Sequence, residues 1–140
     1  MRFMIIVKAT KESEAGVMPE EKLIAAMAAY HEELARAGVL LDASGLQRSA
    51  KGWRVRYDGE TRSIIDGPFP ETGDLIAGYT LIKVKSREEA LEWSRRYPNP
   101  TGEGKSAEIE VRQLFALADF GPSEAVERFR RLDTDLKGAV

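Results

Sequence analysis

The sequence has no cysteine and a single histidine, and these two shortages exclude several kinds of chemistry. Without cysteine there is no disulfide, no thiolate nucleophile and no zinc–thiolate site. One histidine among scattered carboxylates does not make the ligand cluster that a metal ion requires. The sequence therefore predicts no metal site and no cofactor.

The chain also has little net charge, −2 at pH 7, and no apolar run that approaches the length of a membrane span. An overall basic field that would recruit nucleic acid is missing. We therefore expect neither nucleic acid nor a membrane as a partner. The first eight residues are typical of a strand and not of a signal peptide, so a cytoplasmic location is expected.

Helical and strand patterns alternate along the 140 residues, which is enough for one domain. An apolar run at 3–7 is followed by a helix with Pro19 at its first position and Gly38 just past its end. A second strand begins at Val39, and Asp58-Gly59 marks a hairpin. The order β-α-β-hairpin-β-α-β predicts an α+β, ferredoxin-like sandwich with an inserted β-hairpin.

The last part of the chain is set apart from this domain. We expect the domain to cover residues 1–121 and a helical tail to cover 122–140. One apolar stripe runs along the tail, formed by Val126, Phe129, Leu132 and Leu136. We expect this stripe to dock on the domain or on a partner subunit.

Two strands of the predicted sheet are apolar on both faces, at 3–7 and at 75–84. Two core helices cover one sheet face only. The second face needs other cover, and the same face of a second copy is the simplest candidate. The pattern therefore favours a homodimer with sheets stacked face to face.

A tight turn at Asp66-Gly67-Pro68-Phe69 ends one apolar strand. We expect Gly67 to take a positive φ there, which other residues avoid. Phe69 follows as an anchor. Asp66 fits two interpretations, a catalytic carboxylate or an Asx-type residue that shapes the turn through backbone hydrogen bonds.

With this turn the chain resembles the YCII-related superfamily, specifically its DGPF-domain branch. Other stretches agree over roughly residues 1 to 120, among them Met18-Pro19-Glu20-Glu21, Gly78-Tyr79 and Ile109-Glu110-Val111-Arg112. The resemblance implies a dimeric α+β barrel. DGPF genes are often neighbours of extracytoplasmic-function sigma factors, so it also implies a regulatory protein associated with such a factor as an alternative to an enzyme.

The resemblance further implies a site. YCII-type relatives are proposed to use a His-Asp pair near the first helix and the following strand, and some degrade aromatic compounds. Here His31 and Asp42 occupy that region, while the YCII-type histidine lies nearer Met27. His31 fits a general acid or base, or a histidine that is hydrogen-bonded locally.

Alternation in the last strand places Glu110 and Arg112 on the face opposite Ile109 and Val111. If the apolar pair meets the helices, the charged pair faces the dimer cleft. Arg112 would then hold a carboxylate or phenolate, or form an ion pair that links the two copies. We expect a small anionic or aromatic ligand bound by Arg112, Glu110, Phe69 and Tyr79, with acid/base chemistry at His31, Asp66 or Asp42 if a reaction occurs.

Overall fold

The structure, a computed structural model, describes residues 1–138 and is an α+β fold. Residues 1–138 form six strands and four α-helices in the order β-α-α-β-β-β-β-α-β-α. The strands are β1 (Arg2–Lys8), β2 (Leu40–Gly45), β3 (Trp53–Asp58), β4 (Thr61–Asp66), β5 (Ile76–Lys83) and β6 (Ile109–Gln113). The helices are α1 (Lys11–Glu14), α2 (Glu21–Arg36), α3 (Arg87–Arg95) and α4 (Glu124–Gly138).

The main sheet has four strands in the order β2-β5-β1-β6, and every neighbouring pair is antiparallel. Without the hairpin, this is the strand order of a ferredoxin-like sandwich. Strands β3 and β4 form a separate two-stranded sheet inserted between β2 and β5. The predicted fold class is confirmed.

Helix α2 ends where its sequence predicts but begins later. Gly38 follows the last turn with φ +74°, a conformation that glycine adopts without strain. The sequence predicts Pro19 as the first residue of this helix. In the structure Glu20 is the N-cap, so Pro19 precedes the helix. Tyr30 and Leu34 from this helix are buried in the core.

The hydrophobic core lies between the helices α2 and α3 and one face of the main sheet. Its most buried side chains include Ile5, Leu34 and Ile82, each fully inaccessible to solvent. The core also contains Phe3, Tyr30, Val39, Val84 and Ala90, with Ile109 and Val111 packed against it. Ile109 and Val111 therefore pack on the helix side of the sheet, which is the condition under which the sequence places Glu110 and Arg112 on the opposite face.

Strand register defines a second face of the main sheet, which points away from this core. Across β5, β1 and β6, one row pairs Leu81 with Met4 and then Arg112, and the next row pairs Tyr79 with Ile6 and Glu110. On β2, Asp42 lies opposite Leu81 and Ser44 opposite Tyr79. Apolar side chains and Tyr79 thus occupy the two middle strands, while the two edge strands carry polar groups.

The tail forms the expected helix, α4, but most of its apolar stripe is open to solvent. Val126 is buried, whereas Phe129, Leu132 and Leu136 are each more than half exposed. Residues 139 and 140 of the predicted tail lie outside the described residues. Docking of the stripe on another surface stays a prediction.

Two local features differ from the sequence prediction. The polar connection after β1 contains the short helix α1, whose N-cap Thr10 accepts a hydrogen bond from the backbone N–H of Ser13 at 3.1 Å. The alternating pattern of the sequence predicts a last strand over 107–117, and the structure limits this strand, β6, to Ile109–Gln113. Helix α1 is only four residues long, too short to show the apolar periodicity from which helices are predicted.

Gly67 is essential to the turn after β4 for a reason other than the predicted one. Its φ is not positive, so that expectation was wrong. Instead, the backbone of Ser49 passes so close that a Cβ on Gly67 would lie 1.9 Å from the Ser49 carbonyl oxygen. The Gly67 N–H donates to the carbonyl of Gly52 at 3.0 Å and holds the two segments together. A close approach of two backbones explains why glycine is present.

We predict that Gly67→Ala lowers the free energy of unfolding by about 1–3 kcal/mol, because the added methyl group must displace the backbone at Ser49. Gly73→Ala is a matched control, since its Cβ would meet no atom within 4 Å and its φ is not positive. It should change stability by no more than about 0.5 kcal/mol. Urea denaturation of both variants measures the difference. Equal midpoints would contradict this account of the turn.

Candidate functional site

His31 lies on α2, and hydrogen bonds occupy both nitrogens of its imidazole. Nδ1 lies 2.7 Å from the carbonyl oxygen of Met27, one turn earlier in the helix. A carbonyl group can only accept, so Nδ1 carries the proton in the neutral ring. Nε2 lies 2.8 Å from Oγ1 of Thr80 and accepts the proton of that hydroxyl group.

Thr80 connects His31 to an aromatic cluster between α2, α3 and β5. Its side chain is buried, with 1% of the residue exposed. Burial raises the pKa of the Tyr97 phenol, and the hydrogen bond with Thr80 opposes this with a smaller effect, so the phenol stays protonated. The Tyr97 ring packs edge-on against Tyr30, with centroids 5.1 Å apart, and lies 6.2 Å from the His31 ring.

Tyr30 completes this cluster and anchors it to α3. Its hydroxyl group donates to the carbonyl oxygen of Trp93 at 2.7 Å, and burial raises the pKa of the phenol. These contacts favour the local interpretation of His31. Its ring is positioned by the interior of the fold, with both nitrogens engaged.

Asp42 hydrogen-bonds on the other side of the main sheet. It accepts a hydrogen bond from the hydroxyl group of Tyr79 at 2.8 Å. Tyr79 and Thr80 are consecutive on β5, so their side chains point to opposite faces. The structure therefore does not bring Asp42 and His31 together as a pair, and each has a different partner.

The second face carries a cluster of charges at its β1–β6 edge. Glu110 lies 3.4 Å from the ammonium group of Lys8 and 3.2 Å from the guanidinium group of Arg112. Hydrogen bonds from Arg112, and then from Lys8, lower the pKa of Glu110. The side chain of Arg112 is 71% exposed in the single chain. Two cations thus share one carboxylate at this edge of the second face.

Asp66 and Phe69 lie elsewhere, at the turn after the hairpin. Asp66 ends β4 opposite Trp53 and is exposed. The backbone N–H of Phe69 donates to Oγ of Ser49 at 3.0 Å, and the guanidinium group of Arg54 lies 3.8 Å from the centre of the Phe69 ring. These contacts position the turn.

Glu14 of helix α1 secures the segment that faces this turn. Its carboxylate accepts the backbone N–H of Ser49 at 2.9 Å and also the Ser49 hydroxyl proton. These hydrogen bonds lower the pKa of Glu14. Glu14, Ser49 and Phe69 line a shallow groove of about 310 Å³ together with Leu46, Gln47, Asp74, Leu75 and Ile76.

Four residues that shape these regions were not among the predicted site residues: Lys8, Glu14, Ser49 and Thr80. The sequence does contain a signal for two of these residues. Thr80 is a polar residue at an inward position of an apolar strand, which indicates a buried hydrogen bond, and Lys8 is a charged residue at an outward position of β1, which indicates a charge on the second face. Glu14 and Ser49 are distant in sequence, and no pattern links them.

Within residues 1–138 the structure shows no group of three or more potential ligand side chains placed to hold a metal ion. No helix in that range is both long and apolar enough to cross a membrane.

We predict that Thr80→Val lowers the free energy of unfolding by about 1–3 kcal/mol, because it leaves Nε2 of His31 without its donor. Thr80→Ser retains the hydroxyl group and is the matched control. It should keep the ¹⁵N chemical shifts of the His31 ring, which Thr80→Val should change. Identical ring shifts in the wild type and Thr80→Val would refute the hydrogen bond.

The chain is similar to a protein family, to an uncharacterised bacterial protein and to a solved enzyme structure. The family model of the YCII-related domain matches residues 1–115. Uncharacterized protein R00369 of Rhizobium meliloti (strain 1021) is 26% identical over 96 residues, which cover 69% of this chain and 77% of that protein. A solved structure of 5-chloro-2-hydroxyhydroquinone dehydrochlorinase from Burkholderia phenoliruptrix AC1100, in complex with 2,5-dihydroxybenzoquinone, is similar with a TM-score of 0.42 and 15% identity. That similarity covers 82% of this chain and 94% of the dehydrochlorinase chain.

The family model matches most of the chain, and its match ends at residue 115, two residues after the end of β6. The resemblance in the sequence to YCII-related proteins is thereby confirmed, while the narrower DGPF branch stays a prediction. The chain belongs to the YCII-related family.

Proposed function

We propose that two copies of this chain stack the second faces of their sheets and bind a small anionic or aromatic molecule between them. One observation carries the proposal. Met4, Ile6, Tyr79 and Leu81 form the middle of that face, and polar side chains flank them on both edge strands.

This arrangement resembles the anatomy of a protein–protein interface, which has an apolar centre and a polar rim. A face of this kind can pair with itself about a two-fold axis, because each copy supplies the same centre and the same rim. The helices α2 and α3 are already used on the first face. Pairing of two second faces would remove Leu81 and Met4 from water and close the sheets into a barrel-like dimer.

The charge pattern favours an anionic ligand at the β1–β6 edge. Lys8 and Arg112 share Glu110, so this group of three side chains carries one more positive charge than negative. The guanidinium group of Arg112 can bind a carboxylate through two parallel hydrogen bonds. Partial closure by a second copy would lower the local dielectric and strengthen that attraction. The ring of Tyr79 on the same face offers an aromatic contact.

The geometry supports binding more than turnover. His31 lies on the other face, with both ring nitrogens engaged. Asp42 is already hydrogen-bonded to Tyr79, and Asp66 lies at the hairpin turn. Acid/base chemistry at these three residues stays a prediction. So does association with an extracytoplasmic-function sigma factor, for which residues 1–138 show no distinguishing feature.

Calorimetric titration with benzoate, 4-hydroxybenzoate and uncharged phenol tests the proposal. We expect the acids to bind more tightly than phenol. Arg112→Met should weaken the binding of the acids about tenfold or more, because a hydrogen bond to a charged group contributes about 1.5–3 kcal/mol. Arg95→Met, which removes an exposed arginine of α3, is the matched control and should leave affinity unchanged.

Two results would overturn the site assignment. One is equal affinity for the acids in the wild type and Arg112→Met. The other is a failure of the wild type to bind any of the three compounds at millimolar concentration.

A further inference from the structure

The inserted hairpin presents an unpaired apolar surface. Trp53, Val55 and Tyr57 alternate on one face of β3, and Ile64 lies opposite Val55 on β4. All four are exposed, Trp53 and Tyr57 by 65% and Ile64 by 70%. We call these four residues the hairpin face. The other side of the hairpin contacts the domain, where Arg54 stacks on Phe69 and pairs with Glu71 at 3.2 Å.

Contacts with the rest of the domain involve the other side of this two-stranded sheet and leave the hairpin face uncovered. An isolated hairpin is marginally stable in water, and stability requires a third strand or packing against a helix. Strands β3 and β4 hydrogen-bond to each other in a sheet of their own. Exposed apolar surface of several hundred Å² on a soluble domain marks an interaction site. The hairpin face therefore needs apolar cover, which a further strand or a helix could supply.

The same chain carries an apolar helical stripe that also lacks a partner. Phe129, Leu132 and Leu136 lie on one side of α4, and each is more than half exposed. They do not cover the hairpin face of their own chain, because both surfaces are open in the structure. A helix of 15 residues is itself marginal without packing of its apolar side.

We infer that α4 of one copy packs its Phe129–Leu132–Leu136 stripe on the hairpin face of a second copy, and that the exchange is reciprocal. Contact between two hairpins would leave both stripes exposed, and contact between two helices would leave both hairpin faces exposed. The reciprocal exchange covers both surfaces in both chains. It uses a surface separate from the stacked sheet faces of the proposed function, and we place both contacts between the same two copies, so the assembly stays a dimer.

The area of this contact agrees with what a stable dimer needs. Since an aromatic side chain buries about 150–250 Å², the exposed parts of the hairpin face amount to roughly 400 Å² and those of the α4 stripe to roughly 300 Å². Two symmetric contacts would then bury roughly 1,400 Å² in total, within the usual range of about 1,200–2,000 Å² for a specific interface.

Disulfide trapping between chains tests the exchange directly, because the natural sequence contains no cysteine. Full-length Ile64→Cys and Leu132→Cys chains are mixed, allowed to exchange subunits and oxidised. We expect a disulfide-linked heterodimer as the main product. A mixture of Arg56→Cys and Arg131→Cys is the matched control. Arg56 lies on the other side of β3 from the hairpin face, and Arg131 is exposed on α4 beside the stripe.

Each outcome decides the question. A 64–132 product well above the 56–131 product supports the exchange. Products that link only 64 to 64, or only 132 to 132, would overturn it in favour of hairpin–hairpin or helix–helix contact. No product above the control would overturn the exchange, and if light scattering then still shows a dimer, the stacked-sheet dimer stands. If either variant loses its native circular dichroism, Val55→Cys with Leu136→Cys provides the second pair.

Discussion

The two-residue period of strand β5 is the constraint on which the rest of the structure depends. Thr80 and Tyr79 are neighbours in sequence, but their side chains point to opposite faces of the main sheet. Thr80 is buried and donates to His31 under α2. Tyr79 donates to Asp42 on the second face. One strand thus supplies the helix-covered core and also the surface on which we place the ligand.

The contacts of His31 favour a locally hydrogen-bonded histidine over a general acid or base. A general base needs a ring nitrogen that can reach a substrate. In His31 one nitrogen donates to the helix backbone and the other accepts from a buried hydroxyl group. The aromatic rings of Tyr30 and Tyr97 pack against it. Such surroundings are those of a histidine that orders the interface between α2, α3 and the sheet.

Much of the fold was predictable because it follows from local patterns. Apolar runs located β1 and β5, the Asp58-Gly59 signal located the hairpin, and Gly38 located the end of α2. Alternation along β6 placed Glu110 and Arg112 opposite Ile109 and Val111, and the packing of that apolar pair on the core shows which face this is. The remainder depends on long-range contacts that no local pattern contains. The approach of Ser49 to Gly67 joins segments 18 residues apart, and the partner of His31 lies 49 residues away.

The central claim is that the second face of the sheet pairs with itself in solution, and light scattering over a dilution series tests it most directly. For the wild type we expect a mass of about 31 kDa, twice the 15.6 kDa of one chain, at micromolar concentration. Leu81→Glu should raise the dissociation midpoint at least about tenfold, because it buries two uncompensated carboxylates at the centre of the interface. Leu91→Glu, on helix α3, should not. A wild-type protein with the mass of one chain at every concentration, or an unchanged midpoint in Leu81→Glu, would contradict the account.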